Sequence, residues 1–421
     1  MLWHRFRLVL HIFFHDVQTS ISLQKNALMS FTDLSFCLPA AQHLWKAPSA
    51  EAWRDTYLAK HHTTTDRTMP RMAQVMYRLD LLDSLADMID LDLCYMTILH
   101  GFWSQIAAYR EGMKFYYHRG SELGSRNNPR NSTRRLLLGS QSQELYRDLS
   151  EFCTIICPTS TGTGPGKPQT AKLSILAELL MMILHVSLDD LQSFAGKAGE
   201  DEARRAAMSF EDEWAQSAEA RHAVWHAGQV LRNARRLPPT SLTGFYAMAV
   251  YLATLTLWMY GLLSCSCSSH PFDGAELQHR FHNHQDDRPA LMAESAVVDT
   301  SMASSSVPSL PMVVLDGEET EGTRAFLQLN RGVPGLTVGR DGQHQYQQHQ
   351  QPRHVEVGRI GVEALSNPGM ALAVGRNLFR DNFPDTSEPL PPLVNSLVSL
   401  LRDLGSGPAG RASREMSESS Q

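Results

Sequence analysis

Nineteen consecutive residues without a charged side chain, 245–263 (FYAMAVYLATLTLWMYGLL), constrain the fold of this chain more than any other stretch. A helix that is this long and apolar all round must be enclosed, either by lipid or by other helices. Three arginines within 232–236 precede it, as basic residues often precede a membrane span. Because Thr254, Thr256 and Gly261 lower its hydrophobicity, we predict a central helix buried by protein. A membrane-attached helical protein that uses 245–263 is the alternative.

Residues 79–117 carry the strongest helical periodicity. Nine of eleven positions on one helical face are apolar, which is typical of a buried helix. Because the span is long for a single helix, we expect a break around Leu99–Gly101. No stretch of the chain shows convincing strand alternation, so the sequence predicts an all-α fold. Further helical patterns cover 143–157, 171–194 and 200–236.

Changes in composition divide the chain into four parts. Residues 1–268 predict one large multi-helix domain. Residues 269–355 are rich in Ser, His and Gln, and we expect them to form a mostly disordered loop. Within 356–405, prolines at two helix starts predict C-terminal helices that pack back onto the same domain. The polar tail, 406–421, is predicted to be disordered.

Charge, cysteine content and the N-terminus exclude several classes of protein. The net charge of −6 provides no basic surplus that would attract nucleic acid. Six cysteines in 421 residues do not suggest a disulfide framework, which favours a reducing compartment. Arg5 and Arg7 resemble the start of a signal peptide, but His11 interrupts the apolar run and no small-residue cleavage site follows. We therefore predict a core helix at the N-terminus.

Aspartates are the first candidates for chemistry in an all-α protein. A helical lyase of the terpene-synthase kind needs a dense acidic motif that binds magnesium inside a cavity, whereas the aspartate stripe here lies roughly opposite the apolar face of its helix. Asp189-Asp190 has no third carboxylate beside it. We predict no catalytic residues and keep a lyase with an unrecognised site as an alternative. The stripe consists of Asp80, Asp83, Asp87 and Asp90.

Two short motifs resemble functional sites only in part. The stretch TGTGPGK, 161–167, has Thr161 where a phosphate-binding loop requires glycine, and Pro168 where it requires a serine or threonine. A surface loop is the better interpretation. Asn131-Ser132-Thr133 is a glycosylation sequon, which matters only in a secreted chain.

Cysteines and histidines after residue 264 offer thiolate and imidazole groups, which are zinc ligands. Their spacing matches none of the common zinc fingers, and the segment is loop-like. We therefore expect no stoichiometric zinc and no other cofactor in this chain. The residues are Cys265, Cys267, His270, His279, His282 and His284.

Four stretches, in this order, resemble one family. The stretch LPAAQHLWKAPSAEAWRDTYL, 38–58, resembles a segment of the fungal-specific transcription factor regulatory domain, also called the middle homology region. The likeness is closest to members that carry two-Cys, two-His zinc fingers. ARHAVWHAGQVLRNARRLPP, 220–239, followed by 245–263, is similar to the helix pair that comes next in that family. FLQLNRGVPGL, 326–336, and the residues from 367 to 405 resemble its closing segment.

This resemblance implies a nuclear regulator of transcription by RNA polymerase II. It implies contacts with other transcription regulators, with a second copy or with an effector, and no enzymatic activity. Members of the family bind DNA through a zinc finger pair or a six-Cys cluster N-terminal to this region, and neither motif occurs in these 421 residues. No DNA-contacting or zinc-binding residue is therefore carried over. The missing DNA-binding motif has three interpretations: a truncated gene model, a fragment, or a regulator without its own DNA-reading module.

The first prediction concerns DNA. Titration of the isolated chain against a pool of random duplexes at physiological salt should give weak binding without sequence preference. The reason is that base readout needs a docked reading element, and that the net negative charge of the chain opposes attraction to phosphate. Nanomolar selection of one sequence would contradict this expectation.

Overall fold

The computed structural model describes residues 2–61, 69–76, 78–122, 129–156, 168–210, 214–268, 311–339, 361–385 and 388–406. Helices dominate this part of the chain, as the sequence predicts, and one small three-stranded sheet accompanies them. Residues 407–421 of the expected tail and most of the expected loop, residues 269–310 and 340–355, lie outside the described residues.

Six α-helices form the N-terminal third. The predicted N-terminal core helix is α1, and its side chains Leu10, Phe13 and Val17 are buried. A short 3-10 turn, Phe31–Asp33, begins after its N-cap Ser30. The helices are α1 (Leu2–Leu23), α2 (Gln42–Trp45), α3 (Ala50–His61), α4 (Met72–Val75), α5 (Asp80–Ser84) and α6 (Leu91–Glu122).

The predicted break at Leu99–Gly101 is wrong, because α6 continues through it. Gly101 lies inside the helix, where an added Cβ would come 2.6 Å from the ring of Phe31. The glycine therefore serves close packing and does not end the helix. The interruption lies before Leu91, where the Asp90 carboxylate accepts a hydrogen bond from the backbone N–H of Leu93 at 3.2 Å and so caps α6.

Six further helices form the central part, and three of them make the core. In this region α8, α11 and α12 pack on one another, and α6 and α7 cover α8. Leu252, Leu255 and Leu257 of α12 have no exposed surface. These helices are α7 (Pro129–Ile156), α8 (Pro168–His185), α9 (Leu188–Phe194), α10 (Glu200–Ser209), α11 (Ala218–Ala234) and α12 (Gly244–Ser268).

The uncharged stretch lies within α12 and is enclosed by protein, as predicted. Within the described ranges, Gly244–Ser264 is long and apolar enough to cross a membrane, and 78% of its most apolar window is buried inside the protein. The bent pair Gln169–His185 and Leu188–Phe194 passes the same test only when both helices are taken together. Burial stabilises the fold by about 1.5–3 kcal/mol for each large apolar side chain that is removed from water.

The C-terminal part adds the sheet and three helices. The order is β1 (Met312–Val314), α13 (Glu321–Leu329), β2 (Val333–Val338), β3 (Gly361–Ala364), α14 (Pro368–Asn382) and α15 (Pro392–Gly405). Strand β1 pairs parallel to β2 with Met312 opposite Val333, and β2 pairs antiparallel to β3 with Gly335 opposite Ala364. Asn367 and Pro368 start α14, as predicted, and α14 and α15 pack back onto α12.

Residues 311–339 differ from the expectation of a mostly disordered loop without strands, because they form β1, α13 and β2. Strand β1 has only three residues, too few to show alternation. Long-range contacts hold the segment instead. The buried carboxylate of Asp316 accepts hydrogen bonds from the N–H and hydroxyl of Thr337 and from Arg235, the C-cap residue of α11.

Two glycines let this C-terminal part approach the core helices closely. An added Cβ at Gly228 of α11 would lie 2.4 Å from the carbonyl oxygen of Leu315, and one at Gly261 of α12 would lie 2.3 Å from that of Leu365. Gln229 fixes the first contact, because its side-chain amide donates to the Leu315 carbonyl at 2.8 Å. Both contacts are with backbone, which cannot move away as a flexible side chain can.

The two tryptophans of the 38–58 stretch lie near the surface and not in the main core. Trp45 is 40% exposed, and the guanidinium carbon of Arg7 lies 5.0 Å from the centre of its ring. Trp53 stacks on Tyr57 at 5.0 Å. Arg7 also donates to the Ala40 carbonyl and pairs with Asp90, so Trp45 lies beside the polar contact that joins α1 to the start of α6.

The second prediction tests the glycine contact. Gly228→Ala should lower the free energy of unfolding by about 1–3 kcal/mol, because the methyl group would overpack against the Leu315 backbone. Urea denaturation of the whole chain measures the effect.

Gly139 of α7 is the matched control, because nothing lies within 4 Å of an added Cβ there. Gly139→Ala should be neutral or stabilising by up to about 1 kcal/mol through helix propensity. Equal loss of stability in both variants would contradict the proposed role of Gly228.

The third prediction concerns the buried His100 of α6. Its Nδ1–H donates to the Met96 carbonyl at 2.6 Å, and its Nε2 faces the Gln18 amide at 3.1 Å. Burial lowers the pKa of His100 from 6.5 to about 4, although the Met96 hydrogen bond acts in the opposite direction. Between these values the unfolded chain binds the proton more readily than the folded chain. The stability that neutral His100 contributes to the folded chain is therefore complete above pH 6.5 and is lost as the pH falls towards 4.

Denaturation at pH 7 and pH 5 should reveal this loss, which reaches on the order of 3 kcal/mol over the whole window. His100→Gln should reduce the difference between the two pH values, whereas His15→Gln, at an exposed position of α1, should not. An unchanged difference in His100→Gln would contradict the assignment.

Candidate functional site

Three histidines meet where α8 packs against α11. His185 is the last residue of α8, and His222 and His226 lie one turn apart on α11. One ring nitrogen from each histidine lies within 4.8 Å of those of the other two. We call His185, His222 and His226 the histidine cluster.

Local sequence sets the two elements that carry the cluster. Ser217 caps α11 by accepting a hydrogen bond from the N–H of Ala220 at 3.1 Å, which starts the helix just before His222. Residues four apart on a helix share one face, so His222 and His226 both point towards α8. After His185 the chain bends by 80° into α9, and the His185 carbonyl accepts a hydrogen bond from the Trp214 indole at 2.8 Å.

Two carboxylates orient two of the rings. Glu219 contacts Nδ1 of His185, and Glu178 lies 2.7 Å from Nδ1 of His226. A carboxylate accepts, so each contact places the proton on Nδ1 and leaves Nε2 with a free lone pair. Nε2 of His226 faces the Tyr146 hydroxyl at 3.1 Å, which can donate to it.

Two nitrogens of the cluster are buried without a hydrogen-bond partner in the part of the chain that the structure describes. They are Nε2 of His185 and Nδ1 of His222. The side chains of His185 and His226 are only 8% and 4% exposed. A buried polar atom without a partner costs about 1–3 kcal/mol, so these two atoms need an explanation beyond packing.

Burial keeps His185 and His222 uncharged. It lowers the pKa of His222 to about 4, with further lowering from His185 and His226. It also lowers the pKa of His185, more strongly than the contact with Glu219 raises it. Burial, with a smaller contribution from Glu178, raises the pKa of Tyr146 to about 12. At neutral pH, His185 and His222 are therefore neutral bases and Tyr146 is a neutral hydroxyl.

A cleft between α7, α8 and α11 borders the cluster. Glu178 belongs both to the lining of the cleft and to the cluster, since its carboxylate accepts from His226. Gln229, Arg232 and Asn233 line the other side. Most residues that line the cleft are therefore polar, and the cleft reaches the carboxylate that holds His226.

The structure does not assemble the predicted acidic stripe into a site. Asp80 is exposed and pairs with Arg78, and Asp87 is exposed as well. Asp90 differs from the expectation that the stripe lies opposite the apolar face, because its side chain is only 11% exposed and pairs with Arg7. For Asp83 only the backbone is described.

Of the other sequence candidates, Asp189 and Asp190 are described, and neither belongs to the cluster. Asp189 pairs with Lys114, and Asp190 next to it is exposed. The segment 161–167 lies outside the described residues, as do His270, His279, His282 and His284 and the side chains of Asn131, Ser132, Cys265 and Cys267.

Sequence reasoning missed the histidine cluster. The spacing of His222 and His226, four apart on a strongly helical stretch, was the available signal. His185 belongs to another helix, and no local pattern connects it with α11.

Comparison with protein-family models, curated proteins and solved structures finds no match for this chain. The histidine cluster therefore has to be interpreted from its own geometry.

Proposed function

We propose that this chain is the regulatory helical domain of a fungal-type transcription regulator. It acts in the nucleus through contacts with other regulators, with a second copy or with an effector, and it is not an enzyme. The proposal begins from the resemblance of the four stretches. Its main structural support is that three of these stretches, which are far apart in sequence, pack against one another in the fold. They are 220–263, 326–336 and 367–405.

The helix pair of the family resemblance corresponds to α11 and α12. The closing stretches correspond to α13 with β2 and to α14 with α15, and both groups pack against that pair. Asn382 at the end of α14 accepts a hydrogen bond from Leu242 N–H at 2.9 Å and donates to the Pro238 carbonyl at 3.0 Å. The three later stretches that carry the resemblance thus pack together, as segments of a single regulatory domain should.

Two observations weigh against the alternatives. A membrane-attached protein would expose its apolar helix to lipid, whereas most of the apolar window of α12 is covered by other helices. A helical lyase would place its acidic residues in an enclosed cavity, whereas Asp80 and Asp87 are exposed. A regulator that works through protein contacts requires neither arrangement.

The fourth prediction tests the proposal by tethering. The full chain, fused to a foreign DNA-binding domain in a fungal cell, should change reporter expression several-fold relative to that DNA-binding domain alone. No change across growth conditions would contradict the regulatory proposal.

A folding control separates regulation from nonspecific effects of polar, acidic segments. Gly228→Val should abolish the reporter change, because its branched side chain would clash with the Leu315 backbone, while Gly139→Ala should preserve it. A reporter effect equally strong in Gly228→Val, at equal protein level, would show that the folded domain is not responsible.

A further inference from the structure

We propose that the histidine cluster is a binding site for one divalent transition-metal ion such as Zn²⁺, Co²⁺ or Ni²⁺. The ligands are His185, His222 and His226, and the fourth position is open to water or to a donor from a ligand. The inference stands on the cluster alone and does not depend on the regulatory proposal.

The donor set fits this class of ion. Neutral imidazole is a preferred ligand of Zn²⁺, Co²⁺ and Ni²⁺, and three histidines with an open fourth position are a known zinc arrangement. His222 and His226 present two nitrogens from one helix face, as metal-binding histidine pairs do. His185 adds the third from the end of α8, where the chain bends.

The distances require a modest closure. Zinc–nitrogen bonds of about 2.0–2.1 Å place tetrahedral ligand atoms roughly 3.4 Å apart, and the cluster nitrogens lie up to 4.8 Å apart. Rotation of the imidazole rings would bring them together. His222 has the most freedom to do so, because it is only partly buried and its Nδ1 has no partner within the described ranges.

The surroundings match the outer shell of a metal site. A metal-bound histidine usually donates its second ring N–H to a carboxylate, which fixes the tautomer and makes the ligand more basic. His185 and His226 already have this arrangement with Glu219 and Glu178. The two carboxylates also balance the charge of a divalent cation, and their presence on two separate histidines is difficult to explain by packing alone.

Unpartnered nitrogens identify the position of the ion. Nε2 of His185 is buried and has no partner among the described residues, while Nδ1 of that ring is already held by Glu219. Tyr146 lies against Nε2 of His226 and keeps its proton, so it can donate to a water on the metal once that nitrogen binds the ion.

The fifth prediction uses Co²⁺ as the probe, followed by Zn²⁺ competition and elemental analysis of the full chain. The wild type should bind one equivalent of Co²⁺ with the strong visible absorption of a tetrahedral site, and Zn²⁺ should displace it. His222→Gln should weaken binding at least tenfold. His15→Gln, at an exposed position of α1, should bind as the wild type does.

Outer-shell variants separate this site from adventitious binding. Glu178→Gln and Glu219→Gln keep all three imidazoles but should weaken affinity about 10–100-fold, because the rings lose their orienting carboxylates. Circular dichroism confirms that each variant remains helical, and His222→Gln is the least disruptive ligand variant because His222 is the least buried of the three.

Three results would overturn the proposal. One is the absence of stoichiometric uptake by the folded wild type. Another is uptake that is unchanged in both His185→Gln and His222→Gln. The third is binding that survives these variants and disappears in Cys265→Ser with Cys267→Ser, which would place the metal at the C-terminal end of α12.

Discussion

Enclosure of α12 is the constraint on which the rest of the structure depends. A helix that is apolar on every side cannot lie at a protein surface without exposing a large hydrophobic area to water. Here α1, α8, α9 and α11 cover part of it, and α14 and α15 cover a further part. The C-terminal helices are therefore part of the core and not an appendage, although many residues separate them from α12 in the sequence.

Backbone contacts join the two parts of the chain more specifically than apolar packing could. Gly228 and Gly261 allow carbonyl groups of the C-terminal part to touch α11 and α12. The Leu315 carbonyl receives a hydrogen bond from Gln229, and the buried Asp316 carboxylate pairs with Arg235 at 2.6 Å. A buried carboxylate is tolerated only when its lone pairs are satisfied, so these contacts also fix the register of β1 and β2 on the helices.

The histidine cluster places polar side chains between two helices of the apolar core, α8 and α11. Polar groups in a core stabilise it when all are satisfied and weaken it when some are not. Glu178, Glu219 and Tyr146 satisfy part of the cluster, and two ring nitrogens are left without partners in the described part of the chain. Buried polar atoms that lack a hydrogen-bond partner lower the stability of the fold, and their presence between two core helices is typical of a binding site. An ion bound there would link α8 to α11 directly.

Local sequence determined the helical class, the burial of 245–263 and the start of α14 at Asn367-Pro368, because periodicity, missing charge and proline position act within a few residues. Tertiary structure alone decided the continuity of α6 through Gly101, since the reason for that glycine is the distant ring of Phe31. It also decided the short strands of 311–339, whose pairing partners and anchors lie on other elements. The histidine cluster depends on local sequence and on tertiary structure. The spacing of His222 and His226 is visible in the sequence. His185, Glu178 and Tyr146 reach these two histidines only because α7 and α8 pack against α11. No local pattern encodes the distance between side chains on separate helices.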